Sequence, residues 1–181
     1  MDTPMLVDPV RFERIIDRMA HQLLEHHDFK DTDVVGLQTQ GARLAERLQE
    51  RIQELLGGQI IRLGKLDVTF HRDDVRMHER PLSPQTNDMP FLVEGRRVIL
   101  VDDVLYTGRS VRAGLDALLA YGRPRSVELL VLVDRRFHRE LPIEPQYVGT
   151  TVDSLDAQYV RVEWREETGR DAVVLLQSKP E

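Results

Sequence analysis

Apolar side chains recur along the chain at two different periods, and the switches between those periods mark the elements. Asp8-Pro9 reads as an N-cap followed by proline at the first helical position. After it Phe12, Ile15, Met19 and Leu23, flanked by Ile16 and Ala20, trace one face of a helix expected to run to about His27. DVVGL at 33–37 is a short buried strand, QTQG a tight loop, and 42–56 a helix with Ala45, Leu48, Ile52 and Leu55 inward, closed by Gly57-Gly58. IIRLGKLDVTF at 60–70 is strand-like. Residues 71–96 hold no period and contain three prolines, a length that suits a mobile lid or hairpin arm better than a connection. RVILV at 97–101 and SVELLVLV at 126–133 are apolar strands, with a helix over 110–121 between them ending at Gly122. YVGTTV, YVRVEW and DAVVLL finish the chain as short strands, the last two turning at Thr168-Gly169 as a hairpin.

Strands alternating with helices imply an α/β fold: a twisted, mainly parallel sheet with helices on both faces, plus a small flexible hood or hairpin arm. At 181 residues the chain is expected to form a single domain over 1–181. No apolar run approaches the roughly 20 residues that cross a bilayer, and the first residues lack a signal-peptide core. A soluble, cytoplasmic protein with no membrane partner is the expectation. The absence of cysteine excludes disulfides, thiol catalysis and thiolate metal sites. Net charge is −6, so any nucleic-acid binding must come from a local basic patch.

Chemistry concentrates in VILVDDVLYTGRS at 98–110, where an apolar strand meets two carboxylates and then a small-residue turn that opens a helix. On an open α/β sheet this puts Asp102 and Asp103 at the carboxyl end of a strand, where ligands bind. Backbone N–H groups of Tyr106, Thr107, Gly108, Arg109 and Ser110 can converge on a phosphate at the helix start, and the Thr107 and Ser110 hydroxyls add donors. Asp102 and Asp103 accept only, which suits a sugar diol. With Val104 and Leu105 between the two ends, one loop fits a 5-phosphate at one side and a ribose diol at the other. A structural turn whose carboxylates cap the helix would explain an Asp-Asp pair, but not the whole stretch. All thirteen residues resemble the phosphoribosyl-pyrophosphate signature of type I phosphoribosyltransferases. Purine members of that superfamily carry a third acid just before Thr-Gly. Here that place is Tyr106, uncharged at neutral pH and a poor proton acceptor, which disfavours purines.

Four segments extend the resemblance over nearly the full length: RMAHQLLE (18–25), LDVTFHRDD (66–74), the stretch 98–124, and LVLVDRRFHRELPI (130–143). Together they resemble the pyrimidine-operon attenuation protein and uracil phosphoribosyltransferase family, PyrR. That resemblance implies conversion of uracil and phosphoribosyl pyrophosphate to UMP and pyrophosphate in pyrimidine salvage. It also implies Mg²⁺ brought with the substrate rather than held in a dedicated cage, a homodimer or homotetramer, and binding of pyrimidine-operon mRNA leader. Two other functions stay open: an RNA-binding regulator with vestigial catalysis, and a purine phosphoribosyltransferase.

Residue by residue, the resemblance makes Asp102 and Asp103 catalytic and Thr39-Gln40-Gly41 the pyrophosphate loop. Relatives read Thr-Arg-Gly there, and Gln40 lacks the charge and fork of arginine, unless it merely occupies a turn. Arg72 is either a lid residue reaching the pyrophosphate or part of a solvated charge cluster. Main-chain groups near Val133, Asp134 and Arg135, bordered by Val152, should read the uracil edge. There the chain has one residue more than relatives and no glycine: Asp134-Arg-Arg-Phe-His-Arg-Glu140. For RNA, Arg18, His21, His138 and Arg139 match relatives. Asp17, Glu144 and Thr150 stand where relatives carry a neutral hydroxyl residue, arginine and lysine, and those changes should weaken RNA binding.

Overall fold

Strands and helices alternate through the computed structural model, which describes residues 4–69, 86–155 and 158–178. In order they are β1 (Met5–Val7), α1 (Pro9–His26), β2 (Thr32–Leu37), α2 (Gln40–Leu55), β3 (Leu63–Leu66), β4 (Arg97–Leu105), α3 (Arg109–Leu118), β5 (Ser126–Arg135), β6 (Tyr147–Val152), β7 (Tyr159–Glu163), α4 (Arg165–Thr168) and β8 (Ala172–Leu176). Asp8 caps α1 as its sequence dictates, its carboxylate accepting from the Arg11 N–H at 2.9 Å.

Five strands form a parallel sheet in the order β3-β2-β4-β5-β6. Its central strands are apolar on both sides, and the two-residue period sorts their side chains between two cores. Ile99, Val101, Leu130 and Leu132 pack beneath α1 and α2 with Met19, Leu44 and Leu48. Val98, Leu100, Leu129 and Val131 pack on the opposite face with Val111, Ala117 and Leu118 of α3. Since β2 leads into a helix on one face and its neighbour β4 into a helix on the other, the loops after these two strands diverge. That divergence opens a crevice at the strand carboxyl ends.

Three expectations change in detail. Among the described residues of 60–70 only Leu63–Leu66 is strand, and β4 continues four residues past the apolar run, so that Asp102 and Asp103 lie inside it. The expected arm over 71–96 lies mostly outside the described residues; its described end shows one antiparallel bridge, Lys65 to Asp88. The three closing strands divide: β6 joins the parallel sheet, whereas β7 and β8 form the expected hairpin in a second, antiparallel sheet completed by β1. This second sheet forms a hood at the strand carboxyl ends, built from residues other than the 71–96 stretch for which the arm was expected. Fully buried Trp164 at the end of β7 fixes it to α1, meeting Phe12 edge-on at 5.5 Å. Arg47 of α2 adds ion pairs to Glu166 at 2.6 Å and Asp171 at 3.2 Å.

Candidate active site

The crevice between the β2 and β4 loops is a cleft of about 510 Å³. Its floor is Asp102, Asp103 and Val104, one flank is Gln38, Thr39 and Gln40, and its roof is the hood strand β7. Small residues allow the flank to approach so closely. A side chain at Gly41 would sit 2.5 Å from the Val101 carbonyl oxygen and 2.9 Å from the Asp102 Cα, and one at Gly36 would sit 2.5 Å from the Ala42 Cα. The Gln38–Thr39 peptide is cis.

Beside the cleft, a second hollow of about 130 Å³ is enclosed by the turn from Leu105 to Gly108 and by Ser110 and Val111. Gly108 has φ 93°, the left-handed conformation that lets the turn meet the start of α3 without a Cβ. The turn is held from outside. Glu140 and Leu141 N–H donate to the Thr107 carbonyl at 3.0 and 3.2 Å, and Arg109 Nε donates to Glu140 at 2.6 Å. A hollow of this size at a helix start, where backbone N–H groups lack helical partners, has the chemistry to take a phosphate.

Asp102 is buried and its Oδ1 accepts from the Asp103 N–H at 3.0 Å. Burial pushes the Asp103 carboxyl up to about 6, against the opposing pull of hydrogen bonds from the Val104 and Asp103 backbone and from Asp102. A desolvated carboxylate beside a second one suits a cation or a diol. On the roof, Tyr159, Arg161 and Glu163 alternate with core residues Val160 and Val162. Burial raises the Tyr159 hydroxyl above its usual range, and the Asp103 charge raises it further.

Of the expected base-reading residues, Val133, Asp134 and Arg135 close β5 and Val152 closes β6 beside it. Val133 and Val152 are core residues. Arg135 is 3% exposed; it donates to Ser154 Oγ at 2.5 Å and the Leu155 carbonyl at 2.8 Å, and stacks 3.9 Å over the Tyr106 ring. Arg139 donates to the Tyr106 carbonyl and to Asp134, both at 2.6 Å. The two arginines therefore clamp the phosphate turn, and Arg135 also ties it to the chain entering the hood. Sequence reasoning missed the side-chain role of Arg135 and the roof residues of β7. The period-2 pattern of YVRVEW was the available signal for the latter. In the inserted stretch, Phe137 takes φ 80° where a glycine would be at ease.

Of the residues matched for RNA, Arg18 and His21 lie on α1 beside β6, Arg18 donating to the Gly149 carbonyl at 2.5 Å. His138 lies on the other side of β5, edge-on to Tyr106 at 5.6 Å, next to Arg139. Asp17 is paired with Arg51 at 2.6 Å. Arg72 lies outside the described residues. Among the described residues no helix is long and apolar enough to cross a membrane.

Residues 4–167 match the family model of the phosphoribosyl transferase domain. The chain is 42% identical over 174 residues to "Bifunctional protein PyrR" of Elusimicrobium minutum, covering 95% of this chain and 96% of that one. It is 42% identical to the protein of the same name from Actinobacillus pleuropneumoniae, covering 98% of each. Among solved structures, a hypoxanthine phosphoribosyltransferase from Staphylococcus aureus superposes with a TM-score of 0.71 at 20% identity, covering 96% of this chain and 90% of that one. That of Trypanosoma cruzi gives 0.69 at 16%, covering 97% of each. At such identities the structural likeness shows the fold alone.

Proposed function

From the premise that this chain belongs to the phosphoribosyl transferase family, and within it to the PyrR family, we infer that it is a bifunctional uracil phosphoribosyltransferase and regulator of pyrimidine-operon transcription. The observation that carries the enzymatic half is that the 98–110 stretch lays Asp102 and Asp103 on the floor of one cleft and wraps its 105–110 turn around an adjoining hollow. Phosphoribosyl pyrophosphate seats its 5-phosphate in the 105–110 turn and its ribose diol on Asp102 and Asp103. Its pyrophosphate lies toward Thr39, Gln40 and Gly41. Uracil enters between the Arg135 turn and the hood; its N1 forms a bond to the ribose C1 as the bond from C1 to the pyrophosphate oxygen breaks, and the N1 proton leaves to the departing pyrophosphate. Positive charge then develops on the sugar, and the two aspartates lie on the floor where it forms.

The donor set fits Mg²⁺ arriving with the substrate: Asp102 and Asp103 offer hard carboxylate oxygens, and burial of Asp103 leaves its ionised form in want of a cation. Bound there, Mg²⁺ would neutralise the departing pyrophosphate. The hood and the 38–41 loop exclude water from the reactive sugar. Outside the cleft, a homodimer or homotetramer would present the α1 face to mRNA leader in the presence of uridine nucleotide. Cytoplasmic mRNA is the setting this requires.

Uracil, orotate, hypoxanthine and guanine assayed side by side with phosphoribosyl pyrophosphate and Mg²⁺ test the reading. UMP should be the main product, and a purine preferred over uracil would overturn it.

A further inference from the structure

A cleft that is to take a pyrophosphate is lined by four carboxylates, Asp102, Asp103, Glu163 and Glu167. Among the described residues Arg161 is the one cation on its walls. The 38–41 flank presents Gln40, which can donate a hydrogen bond but brings no charge. Neighbouring guanidinium groups stand behind the walls: Arg43 pairs with the cleft carboxylate Glu167 at 2.8 Å without itself lining the cleft, and Arg135 and Arg139 are held in the clamp on the 105–110 turn.

Arg161 is held differently. It projects from β7 on the same face as Tyr159 and Glu163, with its side chain 42% exposed. Nη2 donates to Glu163 Oε1 at 2.8 Å, while Nε is buried with no hydrogen-bond partner among the described residues. Gln40, on the facing flank, has its Oε1 in the same condition. Glu163 does not depend on Arg161 alone, because Arg170 Nε donates to its other oxygen at 2.8 Å. Arg161 can therefore turn toward a ligand and leave the carboxylate still paired with a cation.

We propose that Arg161 supplies, from the hood strand, the positive charge that Gln40 does not, and binds the pyrophosphate group of phosphoribosyl pyrophosphate across the cleft from the 38–41 loop. The proposal rests on the reading of the cleft given above. It makes the hood a holder of the leaving group as well as a cover.

Two readouts keep the proposal and that reading apart. UMP formation by the unaltered protein tests the activity, and calorimetric binding of magnesium pyrophosphate tests the arginine. Arg161→Met should weaken pyrophosphate binding and raise KM for phosphoribosyl pyrophosphate by about tenfold or more, leaving KM for uracil unchanged. Gln40→Arg added to Arg161→Met should restore most of the loss, since the charge returns from the opposite wall. Arg161→Gln keeps a donor for Glu163 and reads the same loss if the methionine variant does not fold. Unchanged pyrophosphate affinity in a folded variant, or a rise confined to KM for uracil, would overturn the proposal.

Discussion

Phe137 carries a left-handed backbone while its ring is 74% exposed, so the residue bears conformational strain with little burial to offset it. Strain for a non-glycine residue there is about 1–2 kcal/mol, and the added freedom of glycine in the unfolded chain takes back about 0.4–1 kcal/mol. Phe137→Gly should thus stabilise the protein by up to about 1.6 kcal/mol, read as a higher denaturant midpoint at unchanged slope. A lower midpoint would mean that the ring holds a contact. Asp103 makes a prediction of the opposite character. Its carboxyl is raised to about 6, so the folded state favours the protonated acid, and this contribution to stability fades as pH rises from the unfolded value of 3.8 through about 6. Catalysis needs the ionised form, so kcat/KM for phosphoribosyl pyrophosphate should fall below about pH 6, and the residual rate of Asp103→Asn should lose that limb. The acidic pair was legible because its chemistry sits in one contiguous stretch. The clamp made by Arg135 was not, because Ser154 and Tyr106 lie 19 and 29 positions away and become its partners only when strands pair.

At the start of α2, two local rules give opposite signs for Gly41→Ala. Alanine in place of glycine favours a helix by about 1 kcal/mol, whereas forcing a methyl into a filled space costs about 1–3 kcal/mol. With the Val101 carbonyl 2.5 Å from the new carbon, the clash wins. Gly41→Ala should lower the melting temperature and raise KM for phosphoribosyl pyrophosphate more than KM for uracil; unchanged KM values would show that the flank does not touch substrate. The periodicity yielded the long elements to within a few residues, because α1, α2 and β5 each bury a continuous face. It could not assign β6 and β7 to different sheets, since both are short alternating runs and the choice lies in what covers them. The three residues of β1 are too few to show a period at all.

Among the described residues, many guanidinium groups are held by carboxylates or carbonyl oxygens of the chain itself. Arg18 is held by β6 carbonyls and Arg139 by the 105–110 turn, Asp17 takes up the Arg51 charge, and exposed Glu144 brings a negative charge where relatives carry arginine. Leader RNA should therefore bind weakly and with a shallow salt dependence. Glu144→Arg with Thr150→Lys should steepen the slope of log K against log salt by about 0.7–0.9 for each phosphate contact regained, in a filter-binding titration with UMP. A steep slope in the unaltered protein would place the RNA on another face. The family was readable from the sequence because its segments span nearly the whole chain, but the commitment of these arginines appears only once helices and strands meet. One further consequence follows from the hood. Its sheet joins Met5 to Val174, so the hood over the cleft unites strands from positions far apart along the chain. A nascent chain on the ribosome can bury its parallel sheet yet has no finished hood until β8 has emerged to pair with β1 and β7, and the ability to react with a costly activated sugar arrives only then.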